Sequence, residues 1–314
     1  MSKPMVIITG PTAAGKTDLS LRLAKAIGGE IISAESMQVY RGMDIGTAKI
    51  LPDQMMGSPH HLIDIMDPDQ PFNVMIFRRL AMKAAEDILS RGHIPIVTGG
   101  TGFYIQALLY GIDFTEMNAD TDYRSSLEEE AQALGSQALY SRLQEIDPEA
   151  AEAIHPNNVK RIIRALEFAQ KSGGQLISEH NRREHMRTPA YNAVFFVFNM
   201  DREKLYERID ARVDRMMQAG LVEEVTRLRA QGLTAEDVSM QGIGYRQILR
   251  ALDGEYPMEE AVRLIKRDSR HFAKRQLTWF RRESGVTWID LDEYPDQEEL
   301  LNFMEETIRT KLQL

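Results

Sequence analysis

Along the first hundred residues, short apolar runs alternate with segments in which apolar residues recur at helical spacing. Three runs predict buried strands: MVIIT, GEIISAES and IPIVTGG. Between them, KTDLSLRLAKAI carries Leu19, Leu23 and Ile27 on one helical face, and VMIFRRLAMKAAEDILSRG predicts a second helix. Gly92 and Pro95 mark the passage from that helix to the third strand. The alternation predicts an α/β fold, in which helices cover both faces of a parallel sheet.

The pattern changes between residues 113 and 190, where no segment has the composition of a strand. Three stretches predict helices instead: DYRSSLEEEAQALG, SQALYSRLQEI and NNVKRIIRALEFAQKSG. A strand pattern returns in YNAVFFVFNMD, and long helices, a last strand in VTWIDLD and a short acidic helix follow. We therefore predict a catalytic core formed by residues 1–112 and 191–314, which an all-helical insertion domain at 113–190 interrupts.

Composition narrows the classes of function. The 314 residues include no cysteine, which excludes disulfides and cysteine-bound zinc. No apolar run approaches the roughly 20 residues that a membrane span needs, and the N-terminus lacks an export-signal pattern, so we expect a cytoplasmic protein with no membrane partner. The formal net charge is -9, yet residues 263–282 carry eight Lys and Arg. Such a segment is either a solvated helix surface or a basic face that binds a polyanion.

The sequence GPTAAGKT, residues 10–17, follows the first predicted strand and begins the first predicted helix. Its spacing is that of a P-loop, in which glycines let successive backbone N–H groups point at a phosphate and the helix N-terminus adds partial positive charge. The lysine supplies a point charge to the phosphate oxygens, and the threonine hydroxyl typically binds Mg²⁺. The motif predicts a P-loop NTP-hydrolase-like core, but it leaves open whether a nucleotide or another diphosphate ester is bound.

Two further segments leave predicted strands at the edge where parallel α/β sheets place their ligands. Glu35 follows the second strand. It is either a functional carboxylate or an ordinary salt-bridged or capping acid. A functional carboxylate here could bind a metal, accept a proton or accept a hydrogen bond from an amine. The sequence TGGTG, residues 98–102, follows the third strand and is either a turn close to substrate or an ordinary strand-to-helix turn. No aspartate ends that strand, which counts against a standard nucleotide hydrolase.

Taken together, eight stretches resemble one family, the tRNA dimethylallyltransferases, also called tRNA isopentenyltransferases. They run in the family's order over about residues 6–290: GPTAAGKT, EIISAESMQVYRGMDIGTAK, PHHLIDI, PIVTGGTGFYIQAL, DPEAAEAIHPNNVKRIIRALE, RVDRMMQAGLVEEV, QGIGYRQ and KRQLTWFR. The first motif occurs in many families, whereas the others together are specific. The resemblance implies transfer of a dimethylallyl group from dimethylallyl diphosphate to the exocyclic amine of the adenosine just 3′ of the anticodon, in tRNAs that read codons beginning with U. Diphosphate is released.

The resemblance also implies a role for each matched residue. The donor's diphosphate would be held by Gly10, Pro11, Thr12, Ala13, Ala14, Gly15, Lys16 and Thr17, with Mg²⁺ at Thr17. Catalysis is assigned to Lys16, Glu35, Thr101 and Arg212. In these assignments Arg212 places a cation on the leaving diphosphate, and Glu35 binds the adenine amine and accepts its proton. Most relatives carry aspartate where this chain has Glu35, so the carboxylate is retained but lies one methylene farther out.

An adenine stacked in the anticodon loop must be flipped out before it can react, and the resemblance implies contacts with the tRNA anticodon stem-loop that hold it there. The implied tRNA contacts are Glu35, Ser36, Met37, Gln38, Thr101, Tyr123, Val159, Lys160, Arg161, Ile162, Ile163, Gly244, Tyr245, Arg246, Lys274, Arg275 and Gln276. The group Tyr245, Arg246 and Gln247 is suited to stacking and hydrogen bonding with single-stranded RNA. In the basic segment, residues 263, 267, 270 and 274 lie at the spacing of one helical face.

Two other functions stay open on the residues alone. A small-molecule or nucleotide kinase shares the P-loop, but it gives no task to the insertion or to the basic segment. A non-catalytic RNA-binding protein with a relic P-loop is compatible with Glu35 in place of the usual aspartate. The oligomeric state is not visible in the sequence, and a monomer is expected.

Overall fold

The chain forms two compact units, and the computed structural model describes residues 3–112, 121–180 and 188–313 of it. The first unit comprises Met1–Leu109 and Pro189–Leu314, and the second comprises Tyr110–Thr188. These limits lie within three residues of the limits predicted for the core and the insertion.

A six-stranded sheet forms the centre of the first unit. Its strands are β1 (Pro4–Thr9), β2 (Gly29–Ser33), β3 (His60–His61), β4 (Ile94–Gly99), β5 (Asn192–Asn199) and β6 (Val286–Asp290). Neighbouring strands are parallel, and their order across the sheet is β3-β2-β4-β1-β5-β6. The apolar runs predict five of these strands correctly. They miss β3, because a strand of two residues carries no periodicity.

The predicted periodic segments all form helices, and further short helices lie between them. They are α1 (Lys16–Ile27), α2 (Val74–Ser90), α3 (Gly102–Leu109), α4 (Thr121–Leu134), α5 (Ser136–Ile146), α6 (Pro148–Ala153), α7 (Val159–Lys171), α8 (Arg202–Gln218), α9 (Leu221–Ala230), α10 (Tyr245–Leu252), α11 (Met258–Phe280) and α12 (Gln297–Leu312). Single 3₁₀ turns span Pro52–Gln54 and Ser239–Gln241. None of the helices described here has both the length and the apolar character that a membrane crossing requires.

Alternating side chains of the strands enter two apolar layers, one on each face of the sheet. Phe196 and Phe198 of β5 belong to a buried cluster that includes residues of α1 and α12. Phe195 lies between two residues of that cluster and points to the opposite face, where its ring centre is 6.4 Å from that of Phe280 in α11. Helices therefore cover both faces, and the fold is the predicted α/β fold with a parallel sheet.

The carboxyl edge of the sheet collects the segments that the sequence singles out. Strands β1 and β4 are neighbours, but the chain leaves β1 toward β2 on one side and leaves β4 toward β5 on the other. Adjacent strands whose connections run in opposite directions open a crevice at their carboxyl ends, where ligands of such folds bind. The P-loop follows β1 and the TGGTG turn follows β4, so both border this crevice.

The second unit is helical over its described residues. Its helices α4, α5 and α7 surround an apolar core that includes Leu139, Leu143 and Leu166. Asp147, which is 1% exposed, accepts hydrogen bonds from the backbone N–H groups of Ala150 and Ser178, each at 3.0 Å. It thereby caps α6 and ties in the segment after α7. Pro148 is the first residue of α6, where proline lacks only an N–H that has no helical partner.

Candidate active site

A cavity of about 700 Å³ lies in the first unit at the carboxyl edge of the sheet. Its wall includes the P-loop from Thr12 to Thr17, five residues at or after the end of β2 (Ser33, Glu35, Ser36, Met37 and Gln38), and residues 46–48 of the loop that follows. Helix α8 adds Arg208, Arg212 and Arg215, and α11 adds Phe272 and Arg275. A volume of this size accommodates a small organic ligand.

The P-loop turns sharply at the end of β1. Gly10 has a φ of +147°, and a Cβ at this position would lie 2.9 Å from the carbonyl oxygen of Phe198, so only glycine fits. Ala13 and Gly15 also have positive φ values, 66° and 81°. The backbone is thereby turned so that α1 begins at Lys16 in the cavity wall. Unpaired N–H groups and partial positive charge at a helix start favour an anion at this place.

Lys16 is the cation at the base of the P-loop. Its Nζ donates hydrogen bonds to the carbonyl oxygens of Gly10 at 3.1 Å and Pro11 at 2.9 Å. Burial lowers the pKa of Lys16 to about 8, with the carboxylate of Glu35 opposing this shift and the guanidinium of Arg212 adding to it. The ammonium is therefore held between two backbone carbonyls without a full counter-charge, and an incoming anion would supply the missing charge.

Arg212 brings a second cation to the P-loop from α8. Its guanidinium donates a hydrogen bond to the Thr12 hydroxyl at 3.2 Å. Burial lowers the pKa of Arg212, and the carboxylate of Glu35 acts in the opposite direction. Arg208 and Arg215 also line the cavity. These two arginines are not among the residues predicted from the sequence. The spacing 208, 212 and 215 is that of one helical face and would have indicated a basic stripe.

Glu35 carries the only carboxylate among the described residues that line the cavity. It lies beside the TGGTG turn: a Cβ on Gly100 would be 3.5 Å from its Oε1. The backbone around it is fixed, because the Ala34 N–H donates to the Thr98 carbonyl at 2.7 Å and the Ala34 carbonyl accepts from the Thr101 N–H at 3.3 Å. The charges that line the cavity in the described part of the chain are thus several cations and a single anion.

Some predicted site residues lie outside the cavity wall. Gly10 and Pro11 contribute their carbonyls to Lys16 but do not line the cavity, and neither does Thr101, whose N–H is bonded to Ala34 as described. The other P-loop residues predicted to hold a diphosphate do line it. Lys16, Glu35 and Arg212, three of the four predicted catalytic residues, meet at one cavity.

Four residues predicted to contact RNA have side chains that are buried among other residues of the chain. Tyr245 is 1% exposed and its hydroxyl donates to the carboxylate of Glu224 at 2.6 Å. Ile162 and Ile163 belong to the apolar core of the second unit. Gln276 is 4% exposed; its Oε1 accepts from the Thr12 N–H at 2.9 Å and its Nε2 donates to the Gly100 carbonyl at 3.0 Å.

The physical reason for this burial is that a helix near a ligand still needs an inward face. Sequence proximity to a basic or polar residue does not tell which face a neighbour occupies. Ser36, Met37, Gln38, Gly244, Arg246 and Arg275 do line the cavity. The remaining predicted contacts divide by exposure: Lys160, Arg161 and Lys274 are exposed, and Tyr123 and Val159 are half-buried, with the Tyr123 hydroxyl accepting from Arg142 at 2.9 Å.

The basic segment of α11 is partly neutralised by carboxylates. Arg263 pairs with Glu260 at 2.6 Å, Arg267 with Asp268 at 2.8 Å, and Arg270 with Asp210 at 2.6 Å. Three of the four residues predicted to share a phosphate-binding face are therefore already paired. Lys274 and Arg275 are exposed and have no carboxylate within ion-pair distance in the described part of the chain.

Comparisons with known proteins identify the family to which the chain belongs. The family model described as IPP transferase matches residues 38–283, and one described as isopentenyl transferase matches residues 4–67. A tRNA dimethylallyltransferase of Lachnoclostridium phytofermentans is 54% identical over 309 residues, which is 98% of either chain. One from Clostridioides difficile is 47% identical over 301 residues, 95% of either chain.

Solved structures give the same result. The full-length tRNA isopentenylpyrophosphate transferase from Bacillus halodurans is 44% identical with a TM-score of 0.73, and the match covers 99% of this chain and 98% of that one. A eukaryotic dimethylallyltransferase acting on tRNA is 29% identical with a TM-score of 0.80, over 96% of this chain and 78% of that one.

Proposed function

Because the chain belongs to the IPP transferase family, we propose that its cavity is the site where a dimethylallyl group passes from dimethylallyl diphosphate to a tRNA adenosine. The resemblance predicted from the sequence motifs is confirmed by the family match and by the full-length relatives. The enzyme is a prenyltransferase that modifies the exocyclic amine of the adenosine 3′-adjacent to the anticodon, in tRNAs reading codons that begin with U, and releases diphosphate. The observation that carries the proposal is that the buried ammonium of Lys16 and the carboxylate of Glu35 line one cavity.

The diphosphate of the donor binds to the P-loop. Residues Ala13 to Gly15 supply backbone N–H groups, and Lys16 and Arg212 supply two cations whose charge is poorly solvated. Buried cations attract an anion more strongly than exposed ones, because little water screens them. As the bond between the first prenyl carbon and the bridging oxygen breaks, negative charge grows on the diphosphate, and these same groups stabilise it.

Mg²⁺ fits this site as a partner of the diphosphate. Thr17 lines the cavity with its hydroxyl at the start of α1, and within the described ranges no group of three or more His, Asp or Glu forms a metal cage. Mg²⁺ is usually held by substrate phosphate oxygens, waters and few protein ligands, so the Thr17 hydroxyl is the protein ligand we assign. When bound, the ion supplies further neutralisation of the leaving group.

Glu35 acts on the acceptor side of the reaction. The adenine nitrogen attacks the first carbon of the prenyl chain, a C–N bond replaces the C–O bond, and the amine must lose a proton. Glu35 is the base we assign, since it carries the only carboxylate of the described cavity wall. The enzyme's main contribution is to position the two substrates, because holding reactants in contact removes much of the entropic barrier.

The flipped adenosine enters beside residues 36–38. Ser36 and Gln38 offer polar atoms for its base edge, and Arg246 and Arg275 line the same cavity. Lys160 and Arg161, exposed at the start of α7, and Lys274 in α11 are the phosphate contacts we assign on the stem-loop. Extruding a base costs a few kcal/mol, which such contacts offset. The contact role of the helical insertion, a monomeric enzyme and a cytoplasmic location stay predictions.

Two measurements test the proposal. In calorimetry with Mg²⁺, dimethylallyl diphosphate is expected to bind and ATP to bind weakly; the reverse order would favour a kinase. In mass spectrometry of tRNA nucleosides, the wild-type protein is expected to convert the target adenosine to its dimethylallyl form. Glu35→Gln should abolish this product while donor binding persists, and Glu35→Asp should retain it. Product formation by Glu35→Gln at the wild-type rate would remove Glu35 from its role, and no product with wild-type protein would favour a non-catalytic RNA-binding protein.

A further inference from the structure

A second buried carboxylate lies behind the cavity wall and has no place in the chemistry above. Glu224, in α9, is 5% exposed. Its Oε2 accepts hydrogen bonds from the backbone N–H groups of Asp44 at 2.8 Å and Ile45 at 2.9 Å, and its Oε1 accepts from the Gly46 N–H at 3.0 Å. The Tyr245 hydroxyl donates to the same Oε1 at 2.6 Å. Four donors therefore converge on one carboxylate.

These donors come from two segments of the cavity wall. We call residues 43–49 the cavity loop; Gly46, Thr47 and Ala48 of this loop line the cavity. Tyr245 begins α10, directly after Gln241 to Gly244, which also line it. The Glu224 carboxylate thus joins two wall segments that are about 200 residues apart in sequence. Hydrogen bonds to a carboxylate are stronger than those between neutral groups, so this side chain is a strong link between the two segments.

Further contacts around this carboxylate also hold the cavity loop. A Cβ on Gly46 would lie 2.5 Å from the Tyr245 ring. Arg227, one turn after Glu224 on α9, donates to the Gly42 carbonyl at 2.7 Å. At the other end of the loop, the buried Lys49 donates to the Tyr40 carbonyl and to the carboxylate of Asp44, each at 2.7 Å. The cavity loop is held at both ends and in its middle.

The loop in turn fixes a side chain of the cavity. The Gln38 Nε2 donates to the carbonyls of Thr47 at 3.3 Å and Ala48 at 3.4 Å, and its Oε1 accepts from the Ser33 hydroxyl at 3.0 Å. The amide nitrogen of Gln38 thus donates both of its hydrogen bonds to the cavity loop. The Oε1 retains an acceptor site, which matches a donor on a base edge such as the amine of adenine.

We propose that Glu224 is a positioning residue for the RNA substrate. By holding the cavity loop, it fixes the Gln38 amide in the orientation in which its oxygen faces a base-edge amine, while the diphosphate site is built by other residues. The inference rests on the proposed function, because it takes the ligand beside Gln38 to be the flipped adenine. It reassigns Tyr245 from a stacking partner of RNA to the fourth donor on Glu224.

The test compares Glu224→Gln with Glu223→Gln, which changes the exposed neighbouring carboxylate on the same helix. Steady-state kinetics use unmodified anticodon stem-loop RNA and dimethylallyl diphosphate, and donor affinity is measured separately by calorimetry. Glu224→Gln should raise the KM for RNA about tenfold, the size of one charge-assisted hydrogen bond, with donor affinity within about twofold of wild type. Tyr245→Phe, which removes one donor of four, should raise the KM for RNA by a smaller factor, and Glu223→Gln should match wild type.

The outcomes separate the inference from the proposed function. A wild-type KM for RNA in Glu224→Gln overturns the inference, and so does an equal loss of donor affinity and RNA affinity, which a general folding defect would produce. Should Glu224→Gln fail to fold, Tyr245→Phe decides: a raised KM for RNA with normal donor affinity supports the inference, and an unchanged KM overturns it. Absence of prenyl transfer by the wild-type enzyme would instead contradict the proposed function.

Discussion

At the scale of single residues, the titration of Lys16 links burial to substrate binding. Burial lowers its pKa to about 8, so the ammonium is present below that pH and is lost as the pH rises through it. A bound diphosphate restores the ammonium, because a nearby anion favours the charged form. Donor binding by the wild-type enzyme should therefore weaken between pH 7 and 9.5, by at most about tenfold per pH unit above 8. Calorimetry with dimethylallyl diphosphate across this range measures the effect.

The control for this pH profile is Lys16→Ala. It should bind the donor weakly at every pH, without the change centred near pH 8, and should lose prenyl transfer while RNA binding largely persists. An identical pH dependence in Lys16→Ala would show that another group controls donor affinity. Loss of donor and RNA binding together would contradict a role confined to the diphosphate.

At the scale of elements, α11 presents a buried polar side chain on one face and an exposed cation on another, and we expect the two to act on different substrates. Gln276 faces inward and bridges the Thr12 N–H to the Gly100 carbonyl, whereas Lys274 is exposed. Gln276→Leu has a similar volume but leaves two buried backbone groups unpaired, so donor affinity should fall about tenfold or more, because the P-loop loses its tie to the turn after β4. Lys274→Gln should leave donor affinity unchanged and weaken RNA binding. Calorimetry with donor and filter binding with RNA distinguish the two.

A weakened RNA affinity with normal donor affinity in Gln276→Leu would contradict this division and restore the direct RNA contact that the sequence motif implies. A substitution at Gly100 tests the same link between the P-loop and the turn after β4. A Cβ there would come within 1.9 Å of the Gln276 Nε2, so Gly100→Ala should displace the amide and reproduce the donor defect.

Some of these elements can be predicted from the sequence, whereas the positions of certain buried polar side chains cannot. Apolar runs and helical periodicity identify five strands and the long helices, because both arise from burial of one side of an element. The P-loop is visible as well, since its glycines are required by local geometry. The inward orientation of Gln276, Tyr245 and Glu224 cannot be predicted from the sequence, because the partners of a buried polar side chain lie far away along the chain. Glu224 contacts residues 44–46, and Gln276 contacts Thr12.

At the scale of the whole molecule, the net charge of -9 hides opposite local fields. Among the described residues, the cavity wall contains Lys16, five arginines and one carboxylate, so an anionic donor is attracted to an enzyme that is acidic overall. Outside the cavity, several cations of α11 are paired with acids and contribute little net field. We therefore expect RNA affinity to depend on a few unpaired cations rather than on total charge, because each phosphate contact releases counterions only where a cation is free to replace them.

This distinction predicts the salt dependence of RNA binding. In a plot of the logarithm of the binding constant against that of the salt concentration, Lys274→Gln and Arg275→Gln should each reduce the slope by about 1. Arg263→Gln should leave the slope nearly unchanged, because Glu260 already neutralises that guanidinium at 2.6 Å. Filter binding of the anticodon stem-loop at several salt concentrations measures all three. An equal change in slope for Arg263→Gln would mean that RNA displaces Glu260, and the basic face would then extend along the whole of α11 as the sequence spacing predicts.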